Sequence, residues 1–526
     1  MNCLLSIVVF TSNILGSFND PFEFEGNYGE EINPIRKYVF EQVVSKEALA
    51  SNLTDFQIIE LMQSENRPTE EIQQYRQQLI AEAIQQDLQH GPTLNELVPS
   101  ELIQQLIKKQ QELQNDSFSA DELCKVLHFI DRYGDQKVFS FFRHSPSELL
   151  SLDKILRDKA LRAGRNFDLP ILSSSEPLKG NNATELKTNL LISLFNKDTF
   201  SVIKNDKKLK IALENLNPQF LKQYLGQEAS IEDLLVFTTP AGQIFFYWLY
   251  QSLNLQLISQ NEAMIERINK VKQVFVDTLG DPTVRAEMFR DKLISADASV
   301  VFTQESDAIV PRLLSENGLF HSVAPQNSKD GTFVFLRGDV WEPTYHMIAI
   351  DDYEGYGRGR LNVILATKKG SGEKFLLASS HGNSTRAEDG RLQITKIMEK
   401  FNELAQFPEN KNLQLVIGID ANTKSDKDVK LLQDQVQSLG LLATSVGPTT
   451  IKKRMVTVQH LKAGRFAVDE EDYVIILNPE NGGLYQMTNP TVGFREGKPD
   501  LAVALPNVNN PSDHYPVGAT LCPWLP

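Results

Sequence analysis

The sequence contains few cysteines. Its 526 residues include three, Cys3, Cys124 and Cys522, which lie far apart and form no Cys-x-x-Cys pair. Because disulfide frameworks and thiolate zinc sites need paired cysteines, the sequence argues against both. We therefore expect the protein to work in a reducing compartment, with the cytoplasm as the default.

Long apolar runs and a surplus of basic residues are absent as well. No stretch approaches the ~20 apolar residues that a membrane-spanning helix requires. The formal charge of −15 argues against a basic surface that binds nucleic acid, but it does not exclude a local basic cleft. A negative charge also suits a site that collects divalent cations. With 41% hydrophobic and 23% charged residues, the chain is expected to be globular, and its length predicts two or more domains.

The N-terminus lacks the features of an export signal. Its apolar run, from Leu4 to Phe10, is preceded by no Lys or Arg, and no Ala-x-Ala site follows it. We predict a buried strand here instead, followed by Thr-Ser-Asn at positions 11–13.

The region from about 35 to 280 has the periodicity of helices. Apolar residues recur at helical spacing in the Gln-rich segment 70–89, and Ser117 begins a segment typical of a helix start. The segment 165–185 indicates a loop or subdomain break. The aromatic run 244–250 predicts a buried core helix, with contact to a membrane or a partner as the alternative.

From about 282 the pattern changes to alternating strands and helices. An amphipathic helix is predicted over 285–293 and a long helix over 391–404. Strands are predicted at 298–303, 332–336, 362–366, 375–378, 413–417 and 473–477. This alternation is typical of an α/β layered fold.

Polar residues of one chemical kind border these strands. Each has an ordinary structural alternative, such as a turn residue, a hydrogen-bonded core histidine, an Asx turn or an ion-pair partner. Together they supply hard oxygen ligands for Mg²⁺, a base for water and donors for developing negative charge, which are the groups that phosphoester hydrolysis needs. The set is Asn13, Glu305, His381, Asp420, Asn422, Asp472, Asp513 and His514.

The order of these motifs resembles the endonuclease/exonuclease/phosphatase superfamily, which includes deoxyribonuclease I, deadenylases and inositol 5-phosphatases. The motifs are strand-Asn, Gln-Glu, Ser-His, Asp-x-Asn, Asp-Tyr and Ser-Asp-His, and the stretch 330–337 is similar to deadenylases. The resemblance covers 282–526 and the first ~16 residues. It implies a four-layer α/β sandwich, with two mixed sheets inside and helices outside.

The resemblance also implies a role for each residue. Glu305 resembles the metal-binding glutamate, with Asn13 and Asp513 on the metal side, and the implied cofactor is Mg²⁺, with Mn²⁺ as an alternative. On the catalytic side, Asp420 resembles the residue that orients and deprotonates water. The remaining residues resemble the phosphate-positioning Asn422, the phosphate-contacting His381 and the transition-state donor His514, which Asp472 orients.

Three departures from the family pattern leave the fit of the substrate open. The glycine of Gly-Asp-Phe-Asn is shifted to Gly418 and its aromatic residue is lost; Gly382 stands where Leu is usual, and Glu470 where Arg is frequent. None of them removes a catalytic group.

The distance between Asn13 and Glu305 along the chain is far longer than the family usually shows. We therefore predict that residues 1–34 carry the first strand and loop of the catalytic domain, that 35–281 form an inserted all-α domain, and that 282–526 complete the catalytic domain. The alternative is a separate N-terminal domain, with the true first strand elsewhere.

These observations predict a Mg²⁺-dependent phosphoesterase, slightly in favour of a nuclease. Its substrate would be nucleic acid, a phosphorylated small molecule or a lipid. One alternative is an inositol-phosphate or lipid phosphoesterase at a membrane surface, contacting it through 244–250. Another is a non-catalytic interaction protein that binds a protein partner through the helical insert. A large helical insertion in an enzyme of this type resembles, by analogy, what secreted bacterial effectors carry, so secretion into a host cell without a recognisable signal peptide is the alternative to a cytoplasmic location.

Overall fold

The structure is a computed structural model of the chain. It describes residues 6–14, 20–22, 26–43, 55–112, 117–138, 169–172, 174–204, 206–207, 233, 235–258, 262–306, 308–324, 331–350, 360–386, 388–453, 466–496, 505–507 and 509–524.

The described residues form two main sheets, of which the first contains seven strands in the order β14-β13-β15-β1-β2-β4-β3. It is mixed, because β1 pairs in parallel with β2 and antiparallel with β15. Its strands are β1 (Ile7–Asn13), β2 (Val300–Gln304), β3 (Phe320–Val323), β4 (Phe333–Arg337), β13 (Tyr485–Val492), β14 (Arg495–Glu496) and β15 (Val517–Pro523).

The second sheet contains six strands in the order β5-β6-β7-β8-β12-β9, and β7 and β8 are its parallel pair. Its strands are β5 (Trp341–Met347), β6 (Leu361–Lys368), β7 (Lys374–His381), β8 (Gln414–Asp420), β9 (Leu441–Ala443) and β12 (Asp472–Leu477). A separate two-stranded hairpin joins β10 (Thr450–Lys453) to β11 (Phe466–Asp469).

The two sheets pack face to face through apolar side chains. Every residue of β8 and of β2 is buried, as expected for strands that are covered on both faces. The absence of a side chain at Gly418 makes room for Phe302, because a Cβ at position 418 would lie 2.3 Å from the ring carbon Cδ2 of Phe302. The glycine of β8 therefore sets how closely the sheets approach each other.

Helices cover the outer faces of both sheets. The helices α11 (Pro282–Ser295) and α12 (Ile309–Ser315) bury Phe289 and Leu313 in a cluster with residues of the first sheet. The helices α13 (Glu388–Ala405) and α14 (Asp426–Ser438) pack in the same way against the second sheet. The layers are thus helix, sheet, sheet and helix, which confirms the predicted sandwich.

Ten further helices lie between β1 and β2 in the part of the chain that the structure describes. Apolar side chains of eight of them join one cluster, which extends from Phe22 to Leu279, whereas the second and third form a separate small cluster around Ile58, Met62 and Tyr75. They are α1 (Asn33–Val43), α2 (Asp55–Ser64), α3 (Ile72–His90), α4 (Leu94–Leu97), α5 (Ser100–Glu112), α6 (Ser117–Tyr133), α7 (Ala183–Leu194), α8 (Lys197–Lys204), α9 (Pro240–Ile258) and α10 (Glu262–Phe275).

The position of β1 decides between the two interpretations of the N-terminal region. Residues Val9 to Asn13 pair with Val300 to Gln304, so the first strand lies inside the seven-stranded sheet. A first strand located elsewhere is therefore excluded, whereas the domain boundaries at 34/35 and 281/282 stay a prediction.

The aromatic run 244–250 corrects one of the alternatives. It lies in α9, and Phe245 and Trp248 are both 0% exposed because α9 runs through the middle of the helical core. A membrane surface cannot reach these side chains, so the membrane-contact role proposed for them is wrong. Across the described residues, we find no helix with the length and apolarity needed to cross a bilayer.

Candidate active site

Strand register places three of the predicted residues in one row across the second sheet. His381, at the end of β7, is the pairing partner of Asp420, at the end of β8. Asp420 is in turn the pairing partner of Asp472, the first residue of β12. Paired residues point to the same face of a sheet, so these three side chains share one face. Because each residue also lies at the end of its strand, the side chains meet at one edge of the sandwich.

Asp420 is the centre of this row. It is 1% exposed, and its Oδ2 accepts a hydrogen bond of 2.8 Å from Nδ2 of Asn13, at the end of β1. Its Oδ1 accepts a bond of 2.9 Å from the backbone N–H of Asn422. That second bond is the Asx turn considered from the sequence, and the bond from Asn13 holds the carboxylate against the end of β1.

The imidazole of His381 lies between two carboxylates. Its Nε2 is 3.6 Å from Oδ2 of Asp420 and 3.6 Å from Oε1 of Glu305. The backbone carbonyl of His381 accepts a bond from Nε2 of Gln393 on α13, which ties the end of β7 to that helix. The strand end and the helix together hold the ring in place.

Glu305 directly follows β2 and has a φ of 52°, in the left-handed region that few non-glycine residues occupy. The backbone of Gly331 approaches so closely that a Cβ there would lie 1.9 Å from the carbonyl oxygen of Ser306. The N–H of Ser306 donates to the carbonyl of Gly331 at 3.0 Å. This contact holds the chain turned at Glu305, whose side chain is 39% exposed and faces the His381 ring.

Asp472 and His514 form a buried pair. Nδ1 of His514 is 2.8 Å from Oδ2 of Asp472, and the same oxygen accepts a bond of 2.7 Å from the hydroxyl of Thr449. Burial raises the pKa of Asp472 above its ordinary value, and the charge of the His514 ring opposes that shift. The contact with Asp472 leaves Nε2 as the nitrogen of His514 that faces away from the pair.

The loop that carries Asp513 and His514 is fastened to β1. The hydroxyl of Ser512 donates to the carbonyl of Asn13 at 2.7 Å, and Nδ2 of Asn510 donates to the carbonyls of Ser512 and His514. Asp513 is buried in this loop, at 6% exposure. Residues from opposite ends of the chain are thereby brought to one place.

Asn422 is placed differently from what its expected role suggests. Its Nδ2 donates to the backbone carbonyl of Gly382 at 3.1 Å, so the amide connects the loops after β7 and β8. Its φ of 52° is in a region that asparagine tolerates well. Its role in positioning phosphate stays a prediction.

Sequence reasoning missed two residues. Thr449 binds Asp472 through its hydroxyl, which also accepts the backbone N–H groups of Glu471 and Asp472. Glu471 is 1% exposed, and its Oε2 lies 3.6 Å from Nε2 of His514. The Glu-Glu-Asp run at 470–472 was a signal for the second, whereas nothing in the sequence marked the threonine.

The arrangement fits a divalent cation. Oδ1 of Asn13 is a buried acceptor without a donor, although Nδ2 of the same amide is bonded to Asp420. An acceptor that burial separates from water and that lies beside carboxylates is well satisfied by a cation. Carboxylate and amide oxygens are also the ligands that Mg²⁺ and Mn²⁺ prefer.

No protein-family model matches the chain, and no curated protein matches it. Similar solved structures include TDP2 of D. rerio complexed with single strand DNA product, at 15% identity over 45% of this chain and 91% of that chain, with a TM-score of 0.33. ANGEL2, a 2′,3′-cyclic phosphatase, has 14% identity over 45% and 84%, with a TM-score of 0.35. The mannosyl-6-phosphatase Bt3783 of Bacteroides thetaiotaomicron has 16% identity over 45% and 90%, with a TM-score of 0.34.

The architecture of two mixed sheets between layers of helices is the one that the resemblance to the endonuclease/exonuclease/phosphatase superfamily implies.

Proposed function

We propose that this chain is a divalent-cation-dependent phosphoester hydrolase. The observation that carries the proposal is the position of Asp420, which is bonded to Asn13, lies 3.6 Å from the ring of His381 and stands beside the Asp472–His514 pair. A base, an amide and two imidazoles thus surround one point at the edge of the sandwich. This set can orient water and stabilise negative charge on a phosphoryl group.

Asp420 is the proposed base. Its Oδ2 is held by Nδ2 of Asn13 and its Oδ1 by the N–H of Asn422, so the carboxylate has one fixed orientation toward the attacking water. Burial of such a group strengthens its interactions, because little water competes for it. Asp420 accepts a proton as the water attacks phosphorus, the bond from phosphorus to the ester oxygen breaks, and the leaving oxygen takes a proton from solvent water.

The two imidazoles are the proposed phosphate contacts. Asp472 contacts Nδ1 of His514 and thereby fixes the ring, which leaves Nε2 to donate to a phosphoryl oxygen. His381, between Asp420 and Glu305, is the second contact. Both rings are almost fully buried, so their orientation is set before the substrate binds.

The residues that would hold the cation are Glu305, Asn13 and Asp513. A bound Mg²⁺ supplies Lewis-acid polarisation of a phosphoryl oxygen. Glu305, with its side chain 39% exposed, is open to solvent, whereas Asn13 offers the buried Oδ1 described above.

A phosphodiester of nucleic acid is the favoured substrate. The stretch 330–337 is similar to deadenylases, and its Gly331 contacts Ser306, the residue after Glu305. The net charge of −15 weighs in the opposite direction, so a phosphorylated small molecule is the substrate to compare.

The test is hydrolysis with Mg²⁺ of a labelled single-stranded oligonucleotide and, in parallel, of inositol phosphates. We expect Asp420→Asn to lower the rate by ~10²–10⁴-fold, as loss of a general base does. Asp434→Asn is the matched control, because that carboxylate lies on the surface of α14 and pairs with Lys430 there. Chelation with EDTA should abolish the rate.

The proposal is wrong if wild type and Asp420→Asn give the same background on every phosphoester. That result is the one expected for a non-catalytic interaction protein. Preference for the oligonucleotide over inositol phosphates would support the nuclease assignment, and the reverse preference would overturn it.

A further inference from the structure

The connector between β1 and α1 touches the loop that carries His514. Of this connector the structure describes residues 20–22 and 26–32, and its Phe22 and Tyr28 are buried in the helical cluster. The backbone of Gly26 lies so close to the loop that a Cβ on this residue would overlap the carbonyl oxygen of Pro506. The same connector therefore contacts both the helical region and the candidate active site.

Two asparagines join Pro506 to the backbone of His514 within the His514 loop, which comprises residues 505–507 and 509–516. The N–H of Asn507 donates to the carbonyl of Asn510 at 2.8 Å. Nδ2 of Asn510 donates in turn to the carbonyls of Ser512 and His514, at 2.8 and 2.9 Å. Asn507 and Asn510 are 3% and 7% exposed, so little water competes for these bonds. A displacement at Pro506 is thereby passed on to His514.

Arg36, on α1, holds the connector in place. It is 3% exposed, and its Nε donates to the carbonyl of Pro21 at 2.9 Å, while its Nη1 donates to the carbonyl of Gly26 at 2.8 Å. The guanidinium carbon also lies 3.5 Å from the centre of the Tyr28 ring. A planar guanidinium has several donors in fixed positions, so it can hold two carbonyls at once. Arg36 therefore sets the position of Gly26 against the His514 loop.

The His514 loop also has anchors in the sheets that do not involve Arg36. The hydroxyl of Ser512 donates to the carbonyl of the last residue of β1, and the N–H of Leu505 donates to a carbonyl of β10 at 2.9 Å. Because these bonds remain when Arg36 is replaced, the loop is expected to shift and not to come away from the sheets.

We propose that Arg36 is a positioning residue for His514, acting through the contact of Gly26 with the His514 loop. The inference rests on the proposed function, in which Nε2 of His514 donates to a phosphoryl oxygen. That bond is strongest in the transition state, so a displaced ring lowers kcat and leaves KM unchanged. The helical region thus takes part in catalysis by fixing one end of the site.

The first test measures kcat and KM of the full-length protein with Mg²⁺ and the phosphoester that it hydrolyses fastest. We expect Arg36→Met to lower kcat ~10–100-fold with KM unchanged, and Arg36→Lys to recover part of this loss because one donor remains. Gly26→Ala, which displaces the His514 loop directly, should also lower kcat. Arg132→Met is the matched control, because that guanidinium is half-exposed in the helical region and pairs with Asp233 at 2.9 Å.

A double-mutant comparison shows whether the effect runs through His514. In the His514→Ala background, we expect Arg36→Met to cause no further loss of kcat, because the ring that Arg36 positions is gone. A cooperative urea transition shows that each variant is folded. An equal fold-loss of kcat in both backgrounds would overturn the inference, as would a wild-type kcat in folded Arg36→Met or Gly26→Ala.

A second readout does not require hydrolysis. In protein labelled with ¹³C at the Cε1 of histidine, the NMR resonance of His514 is identified by its loss in His514→Ala. We expect this resonance to move in Arg36→Met and to stay in place in Arg132→Met. A resonance that does not move in Arg36→Met overturns the inference whether or not the chain is an enzyme. A resonance that moves, in a protein that hydrolyses no phosphoester, overturns only the proposed function.

Discussion

Lys187 provides a quantitative test of the helical core. It lies in α7 and is 1% exposed, and its Nζ donates to the carbonyl of Leu97 at 3.1 Å and to Oε1 of Gln256 at 2.9 Å. Burial lowers the pKa of Lys187 from 10.5 to about 8, because the charged form is disfavoured away from water.

The sign of the effect on stability follows from this shift. Between about pH 8 and pH 10.5 the unfolded chain binds a proton that the folded chain has released, so the free energy of unfolding rises with pH in this window. Below pH 8 the folded protein carries the buried charge. At ~1.4 kcal/mol for each pKa unit, the charge destabilises the folded state by about 3 kcal/mol there.

The perturbation is Lys187→Met, which keeps the length of the side chain and removes the charge. Urea unfolding at about pH 7 and about pH 10 gives the free energy of unfolding of both proteins. Trp248 provides a fluorescence signal from the same core, because its Nε1 donates to the carbonyl of Lys187. From about pH 7 to about pH 10, we expect the free energy of unfolding of wild type to rise by up to about 3 kcal/mol relative to that of the variant.

Methionine also leaves the carbonyl of Leu97 and Oε1 of Gln256 without their donor. That loss does not depend on pH. The test is therefore how the difference in free energy of unfolding between wild type and Lys187→Met changes with pH. A difference between wild type and Lys187→Met that is the same at both pH values would refute it.

Three further predictions concern the site and the cores. Thr449→Val removes the hydroxyl bound to Asp472, so we expect kcat to fall ~10–100-fold with KM unchanged. Thr449→Ser, which keeps the hydroxyl, should recover kcat. Equal kcat values in wild type and Thr449→Val would exclude a positioning role. Gly418→Ala should lower the free energy of unfolding by about 1–3 kcal/mol in urea, since its Cβ would meet the ring of Phe302; an unchanged midpoint would contradict this packing. Trp248→Ala should lower the free energy of unfolding by about 3–5 kcal/mol and leave flotation with anionic vesicles unchanged. Loss of vesicle binding in a folded variant would contradict burial of the indole.

The strands that the sequence predicted are the apolar ones. Continuous apolar runs mark β2, β7, β8 and β12, and these strands are almost entirely buried. The strands β5 and β13 were missed because they are partly exposed, so polar residues interrupt their apolar pattern. A partly exposed strand is defined by its partners as much as by its own residues.

The candidate site also contains residues that the sequence marks and residues that only the structure shows. The order of the motifs was enough to select Asn13, Asp420 and His514, because each motif keeps its residue types together along the chain. Thr449 and Glu471 could not be selected in this way. Their contribution depends on the distance to Asp472 and His514, which is set by the pairing of strands.

The sequence by itself determined the class of fold, the helical character of the described residues between 35 and 280, and the chemical types of the site residues. Periodicity and residue type are local properties, so they can be read without coordinates. Only the tertiary structure decided that β1 lies beside β2, that Asn13 reaches Asp420 and that the aromatic run of α9 is buried. These facts depend on contacts between residues far apart in the chain, and such contacts are formed by packing, which no local pattern specifies.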